Sequence, residues 1–260
     1  MERLIDSGPV LLDLDGTVAR VRLNRPDASN ALNLDLLKAL EEGLVEAERS
    51  PARAVVVTGE GAAFSAGADL FEVLEEGSEY IDAAGRSLSS CFAALFRFPR
   101  PVVAAVNGHA IAGGCILVSA CDYRISAGGD HRIGVTELAV GVPFPTWALE
   151  IMRFAVPGAT LQELVMLGRT YSPDRALEKG LIDEVVETER LTERAVEIAG
   201  RLSRVPGSTF EITKRALRAP TEARVAARAE HDDAVVRALW DSPDVRTSIG
   251  AFLTKTFGSR

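Results

Sequence analysis

Residues 104–115 read Ala104-Ala105-Val106-Asn107-Gly108-His109-Ala110-Ile111-Ala112-Gly113-Gly114-Cys115. The apolar run from Val102 to Val106 has the length and composition of a buried strand. Asn107-Gly108 breaks it, and the small residues Ala112 to Gly114 make a turn that opens a helix. A helix that begins on glycines presents free backbone N–H groups, and its dipole favours negative charge there.

The same order of events occurs upstream in Gly61-Ala62-Ala63-Phe64-Ser65-Ala66-Gly67-Ala68-Asp69-Leu70: a strand end, small residues, then a helix start. Small residues let a ligand touch backbone, and the Ala68 N–H is the group best placed to face a developing oxyanion. Taken singly, each segment is also what tight strand–helix packing requires.

Further out, Val10 to Leu23 reads as two short strands around an Asp15-Gly16 turn, leading into Asn24-Arg25-Pro26. Leu36, Leu37, Leu40, Leu44 and Val45 recur at helical spacing within Leu34 to Glu48, with Asn33 as cap. A strand is expected at Ala54 to Thr58 and a helix from Tyr80 to Phe96, stopped by Pro99. Further strands are expected at Tyr123 to Ser126 and Arg132 to Val135. From Thr146 onward the pattern is helical apart from Ile182 to Val186. Strand, turn and helix in alternation predict an α/β fold with a parallel-rich sheet and crossover connections.

The 260 residues are 47% apolar and 25% charged, the composition of an ordinary globular chain with one core. A net charge of −8 argues against a nucleic-acid partner. Cys91, Cys115 and Cys121 form neither an even disulfide framework nor a metal-like Cys/His pairing, so reduced thiols and no metal are expected. Met1 to Leu12 lacks the pattern of a signal peptide. No apolar run approaches the roughly 20 residues that span a bilayer. The expected location is therefore cytoplasmic, with no membrane partner.

Leu11 to Thr17, Leu-Leu-Asp-Leu-Asp-Gly-Thr, resembles the nucleophile motif of the haloacid dehalogenase superfamily of phosphatases. That chemistry needs a cap helix after the motif, a later Lys and an acidic pair at a strand end to hold magnesium. Here Thr17 runs into another strand, and the only late acidic pair, Asp232-Asp233, lies in a helical stretch. Asp15-Gly16 is therefore read as a turn, and Asp13 as a strand residue facing solvent.

Six ordered segments, spread over nearly the whole chain, resemble the crotonase (enoyl-CoA hydratase/isomerase) superfamily. They are Asn24-Arg25-Pro26 through Asn30-Ala31-Leu32, Phe64 through Leu70, and Val106-Asn107-Gly108 through Gly113-Gly114-Cys115. Cys121-Asp122-Tyr123-Arg124-Ile125, Gly180 through Val186, and Thr213-Lys214-Arg215-Ala216-Leu217 complete the set. The resemblance implies a spiral of β-β-α units, here residues 1–195, and a C-terminal helical region, 196–260, used in trimerisation. The assembly it implies is a trimer or a dimer of trimers. It implies further that the N–H groups of Ala68 and Gly113 hold a thioester oxygen, while Ala66, Gly67, Asp69, Leu70 and Phe71 line the coenzyme A path. Phe252 and Lys255 match a C-terminal Phe-x-x-Lys that approaches coenzyme A, although Lys255 also reads as a solvated helix residue. Coenzyme A is part of the substrate, and no separate cofactor is implied.

Hydratases of this superfamily use two Glu residues to hold and deprotonate a water. The first sits directly after the Gly-Gly-Cys segment, where this chain has Ile116. The second matches Glu137, within Gly134-Val135-Thr136-Glu137-Leu138-Ala139-Val140-Gly141. Val135, Leu138, Val140 and Val142 are expected to surround Glu137 with apolar surface and raise its pKa. Gly141 to Trp147 adds bulk where a water would sit.

One base and an oxyanion hole suffice to move a proton from C2 to C4 of a 3-enoyl-CoA. Δ3,Δ2-enoyl-CoA isomerisation in fatty-acid type metabolism is therefore the expected activity. Enoyl-CoA hydration by Glu137 alone (a lyase reaction) and a non-catalytic acyl-CoA-binding homologue are the alternatives. His109, Trp147 and Phe154 are read as packing residues, and Glu75, Glu76 and Asp82 as solvated.

Overall fold

A computed structural model of the chain describes residues 2–258, so Met1 and the last two positions of the expected C-terminal region lie outside the described residues. The chain opens with an antiparallel meander of β1 (Glu2–Ile5), β2 (Val10–Asp15) and β3 (Val18–Leu23). α1 (Leu34–Arg49) follows, and the Asn33 side chain accepts from the Leu36 N–H as its N-cap.

Three further windings each contribute two strands and then helix. The first holds β4 (Ala54–Gly59), β5 (Ala63–Ser65), α2 (Leu70–Glu75) and α3 (Ser78–Arg97). The second holds β6 (Val102–Val106), β7 (His109–Ile111) and α4 (Gly113–Ala120). The third holds β8 (Tyr123–Ala127), β9 (Ile133–Gly134), α5 (Glu137–Val140) and α6 (Thr146–Ala155). Next come α7 (Gly158–Leu167), β10 (Thr170–Tyr171), α8 (Pro173–Glu178), β11 (Glu184–Val186) and α9 (Leu191–Leu202). The chain ends in α10 (Gly207–Trp240) and α11 (Pro243–Phe257).

The first strand of each winding joins a seven-stranded sheet of order β1-β2-β3-β4-β6-β8-β11, parallel from β3 onward. The second strand joins a four-stranded sheet, β10-β9-β7-β5, in which only β10 runs antiparallel. This is the β-β-α spiral implied by the sequence resemblance.

Leu36 and Leu40 of α1, Phe92 and Phe96 of α3 and Leu117 of α4 fill the core on one face of the large sheet. On the other face Val56, Val103 and Ile125 meet Leu191, Ala195 and Ile198. Burial on both faces explains why β4 and β6 are continuous apolar runs rather than alternating ones. The expected division after residue 195 falls inside α9. α10 folds back against α3 and α6, and α11 covers α2.

Several expectations need correction. Asp13 does not face solvent: it is fully buried on the second face of the sheet, 2.6 Å from the Arg22 Nη2, with Arg20 at 3.9 Å. Its register partner on β3 is Arg20, and the long arginine stems cover it. The strand expected at Arg132 to Val135 shrinks to Ile133–Gly134, and that at Ile182 to Val186 to Glu184–Val186.

Candidate active site

The first of two converging loops leaves β5 and enters α2. Gly67 has φ +86°, and its carbonyl accepts from the Leu32 N–H at 2.8 Å, while the Asp69 N–H donates to the Leu32 carbonyl at 3.2 Å. Between these two bonds the Ala68 N–H has no acceptor among the described residues. Asp69 is 8% exposed; it accepts from the Glu72 N–H to cap α2 and receives Nη1 and Nη2 of Arg25, both at 3.1 Å. The residue bearing the free N–H is thus fixed on both sides.

The second loop joins β7 to α4. Ala112 has φ +50° and ψ −122°, a conformation that costs a non-glycine residue about 1–3 kcal/mol and persists only when neighbours enforce it. Here its N–H donates to the Gly134 carbonyl at 2.9 Å and its carbonyl accepts from the Ile116 N–H at 3.1 Å. The turn makes Gly113 the first residue of α4, with its N–H unpaired among the described residues. Gly114 has no room for a side chain, since a Cβ there would lie 2.4 Å from the Ser65 carbonyl oxygen. That contact seats the start of α4 against β5. The sequence placed a turn at Ala112 to Gly114, but the positive φ of Ala112 left no signal in it.

Both loops open on one cavity, and the carboxyl of Glu137, first residue of α5, lines it too. Glu137 is 7% exposed and its Oε2 has no hydrogen-bond partner. Burial pushes its pKa up to about 7, offset in part by the backbone N–H groups of Glu137 and Thr136. Val140, Val142 and Ile116 line the same cavity, whereas Leu138 points outward and is 43% exposed, contrary to expectation. α5 turns Leu138 away because it is the next residue on the helix. Val142 and Pro145 bring the expected bulk of the Gly141 to Trp147 loop to the cavity, while Phe144 and Trp147 turn into the core. Among the described residues Glu137 is the one carboxylate lining this cavity.

Of the other residues singled out in the sequence, Ala66, Leu70 and Phe252 line the cavity. Gly67 lies behind it, a Cβ there falling 2.8 Å from the Ala112 Cβ. Asp69 lines an adjoining cavity, Phe71 meets Phe257 with the rings tilted and their centroids 5.5 Å apart, and Lys255 is exposed on α11 outside the cavity lining.

His109 is exposed; its Nδ1 accepts from the Arg132 N–H at 3.1 Å and its ring meets that of His131 edge-on, with centroids 6.4 Å apart. Trp147 and Phe154 flank Phe96, as expected, at 5.9 and 5.3 Å. Glu75 and Glu76 are exposed, but Asp82 is ion-paired with Arg86 and Arg237. Trp240 and Leu88 are cavity residues that the sequence did not reveal.

All three cysteines are free and buried. Among the described residues, no three His, Cys, Asp or Glu side chains gather into a metal-binding group. No described helix is long and apolar enough to cross a membrane.

Comparison with known proteins places this geometry. The family described as Enoyl-CoA hydratase/isomerase matches residues 13–257. The short-chain-enoyl-CoA hydratase of Clostridium acetobutylicum is 31% identical over 248 residues, 95% of either chain. The mitochondrial enoyl-CoA delta isomerase 1 of Mus musculus is 27% identical over 251 residues, 95% of this chain and 86% of that one. Among solved structures, the human mitochondrial delta3-delta2-enoyl-CoA isomerase superposes with a TM-score of 0.91 at 25% identity, covering 95% of this chain and 98% of the other.

Proposed function

The chain belongs to the enoyl-CoA hydratase/isomerase family, and from that premise we propose that it is a Δ3,Δ2-enoyl-CoA isomerase with one acid–base residue, Glu137. The observation that carries this reading is the buried, unpartnered Oε2 of Glu137 in a cavity where Ile116, 1% exposed, occupies the position of a second acid.

In the proposed reaction the thioester oxygen of a 3-enoyl-CoA accepts from the N–H groups of Ala68 and Gly113. The Glu137 carboxylate removes a proton from C2, and the negative charge passes to the thioester oxygen as an enolate. Two preorganised donors stabilise that charge in the transition state. The enolate collapses to the conjugated 2-enoyl thioester as C4 takes the proton back from Glu137. One C–H bond breaks, one forms and the double bond moves; no water and no other reactant enters.

A carboxyl pKa near 7 suits both halves of this cycle, because the group must accept and return a proton at similar driving force. Hydration would need a second group to hold and deprotonate water, and Ile116, Val140 and Val142 offer apolar surface instead.

Ala66, Leu70 and Phe252 are proposed to meet the coenzyme A portion, with Lys255 meeting its charged end. Self-association as a trimer or dimer of trimers is likewise proposed, supported by Ile212 and Leu217 of α10, 57% and 66% exposed. A cytoplasmic location is proposed on the three free thiols.

The test is turnover of a 3-enoyl-CoA in water enriched in heavy oxygen. The reading expects a 2-enoyl product free of solvent oxygen; no turnover of the 3-enoyl substrate, with solvent oxygen entering a 2-enoyl-CoA supplied separately to give its 3-hydroxyacyl product, would replace isomerase by hydratase.

A further inference from the structure

The Ala68 donor and the Glu137 base stand at the N-terminal ends of two short helices, and a third helix holds the far ends of both. α2 is six residues long and begins directly after Ala68 and its cap Asp69; α5 is a single turn from Glu137 to Val140. The last carbonyls of a helix have no partner within it, and those of α2 and α5 are met by side chains of α11.

Arg246 of α11 holds α2. Its Nη2 donates to the Leu74 carbonyl at 2.7 Å, and its Nη1 to the carbonyls of Val73 at 3.1 Å and Glu76 at 3.4 Å. A cation there also meets the negative end of the helix. Back to Ala68, α2 is about 9 Å of hydrogen-bonded backbone, short enough to move as one piece.

Ser248 holds α5. Its Oγ donates to the Val140 carbonyl at 2.6 Å, an approach that Gly141 permits, since a Cβ there would lie 2.4 Å from that Oγ. The Glu137 carbonyl, at the start of the same turn, accepts from the N–H groups of Gly141 and Val142, both at 2.9 Å. A shift at Val140 is therefore passed to Glu137.

Two positions apart, Arg246 and Ser248 leave α11 in different directions, which sets the helix between α2 and α5. Ile249 and Leu253 fill that interval against Val73 of α2 and against Val140 and Val142. This apolar contact keeps α11 in place but is not directional, whereas the hydrogen bonds fix where each short helix sits along it. Neither Arg246 nor Ser248 lines the cavity at Glu137.

We propose that Arg246 and Ser248 are positioning residues, which through α11 fix the separation of the Ala68 N–H from the Glu137 carboxyl. The inference rests on the donor and base assigned above. The two groups act on one substrate at the same moment, at the thioester oxygen and at C2, so a displacement of about 1 Å between them can cost on the order of a hundredfold in rate.

The kinetic arm uses Arg246→Met, Arg246→Lys, Ser248→Ala and the double variant Arg246→Met/Ser248→Ala. With a 3-enoyl-CoA, kcat per active site falls at least tenfold in Arg246→Met and in Ser248→Ala, while the Kd of a saturated acyl-CoA stays within about threefold. Arg246→Lys, whose ammonium still donates to the carbonyls, recovers part of kcat. Releasing either end already frees the spacing, so the double variant stays within about threefold of the worse single one, where independent effects would multiply to a hundredfold. Ser248→Ala removes one oxygen and carries the test by itself if Arg246→Met does not fold.

The second arm reads donor and base without turnover. Glu137 takes a C2 proton from a bound 3-oxoacyl-CoA, the electron pair passes to the thioester oxygen, and the enolate is followed by its ultraviolet absorbance. Its fraction at saturation falls at least threefold in each single variant. Unchanged kcat and enolate in the folded variants, effects that multiply in the double variant, or a change in Kd in place of kcat overturns the inference. A wild-type protein that forms the enolate but leaves 3-enoyl-CoA unturned, with the enolate lost in the variants, removes the isomerase reading and leaves the positioning assignment standing. A wild-type protein that does neither removes both.

Discussion

Gly67 and Gly113 lie back to back across the two loops of the site: a Cβ on Gly67 would stand 3.1 Å from the Gly113 nitrogen, and one on Gly113 3.7 Å from the Gly67 Cα. The proposed oxyanion donors, at Ala68 and Gly113, are held by this contact. Gly67→Ala must place its methyl 2.8 Å from both the Ala112 Cβ and the Ile111 carbonyl oxygen, at φ +86°. The expected result is a loss of about 1–3 kcal/mol in denaturant unfolding, from the backbone conformation alone. A fall in kcat of at least tenfold should accompany it as the two donors separate.

Glu137 makes the activity pH-dependent. A base must be ionised, so kcat/KM should rise as pH increases, with a midpoint near 7 set by the raised carboxyl pKa. Stability runs the opposite way. The folded protein keeps the Glu137 proton to higher pH than the unfolded chain, so between pH 4.5 and about 7 the folded state binds more protons and stability declines as pH rises. A rise in pKa from 4.5 to about 7 corresponds to roughly 3 kcal/mol, fully expressed only above pH 7. Thermal unfolding of Glu137→Gln should therefore show stabilisation at pH 8 and little at pH 5. Equal effects at the two pH values would show that the carboxyl is not held protonated by burial.

Arg25 acts on Ala68 through the neighbouring Asp69, which receives two of its guanidinium nitrogens at 3.1 Å. A second bond, from the Arg25 Nη1 to the Ala31 carbonyl at 2.6 Å, ties the same arginine to the chain beside Leu32. Arg25→Met should lower kcat about tenfold while KM changes by less than about threefold, since the group steadies a donor used in the transition state. Arg25→Lys should recover only part of kcat, because an ammonium cannot span both positions. A purely structural role would instead lower the active fraction and leave kcat per active site unchanged.

Asp122 anchors α10 to the sheet-side end of β8. It receives the Lys214 Nζ at 2.6 Å and the Arg218 Nη2 at 2.7 Å; both cations are buried on α10. Burial lowers the Lys214 pKa to about 8 even with Asp122 pulling it up. Asp122→Ala leaves two uncompensated buried cations and should cost about 3–5 kcal/mol in urea unfolding. Asp122→Asn, which keeps an acceptor for one of them, should cost less.

What the sequence disclosed follows from the range of each interaction. β4, β6 and α1 carry their own periodicity and caps, so Ala54 to Thr58, Val102 to Val106 and the Asn33 cap were legible locally. β5 and β7 were not: Ala63–Ser65 and His109–Ile111 are three-residue strands of mostly small or mixed character, ordered by pairing with each other across 46 residues of chain. Asp13 read as solvent-facing because alternation gives the face of a strand but not the arginines that cover it. Glu137 was legible because it matches an acid of the superfamily the chain resembles, and the valines around it raise a carboxyl pKa, although its neighbour Leu138 was assigned to the wrong side. The place of Trp240 beside the site was illegible for a different reason: helical spacing shows that Val236, Arg237 and Trp240 share a face, but only the folded chain sets that face against Gly85 and Leu88.

The most direct test of single-carboxylate isomerisation is absorbance of the conjugated thioester, followed with a 3-enoyl-CoA and separately with a 2-enoyl-CoA, for the wild-type protein and Glu137→Gln. The account predicts that conjugation rises from the 3-enoyl substrate with wild type and does not fall from the 2-enoyl one. With Glu137→Gln the rise should be lost at least a thousandfold while the variant still binds coenzyme A. Loss of conjugation from the 2-enoyl substrate, or an undiminished rise with Glu137→Gln, would contradict it.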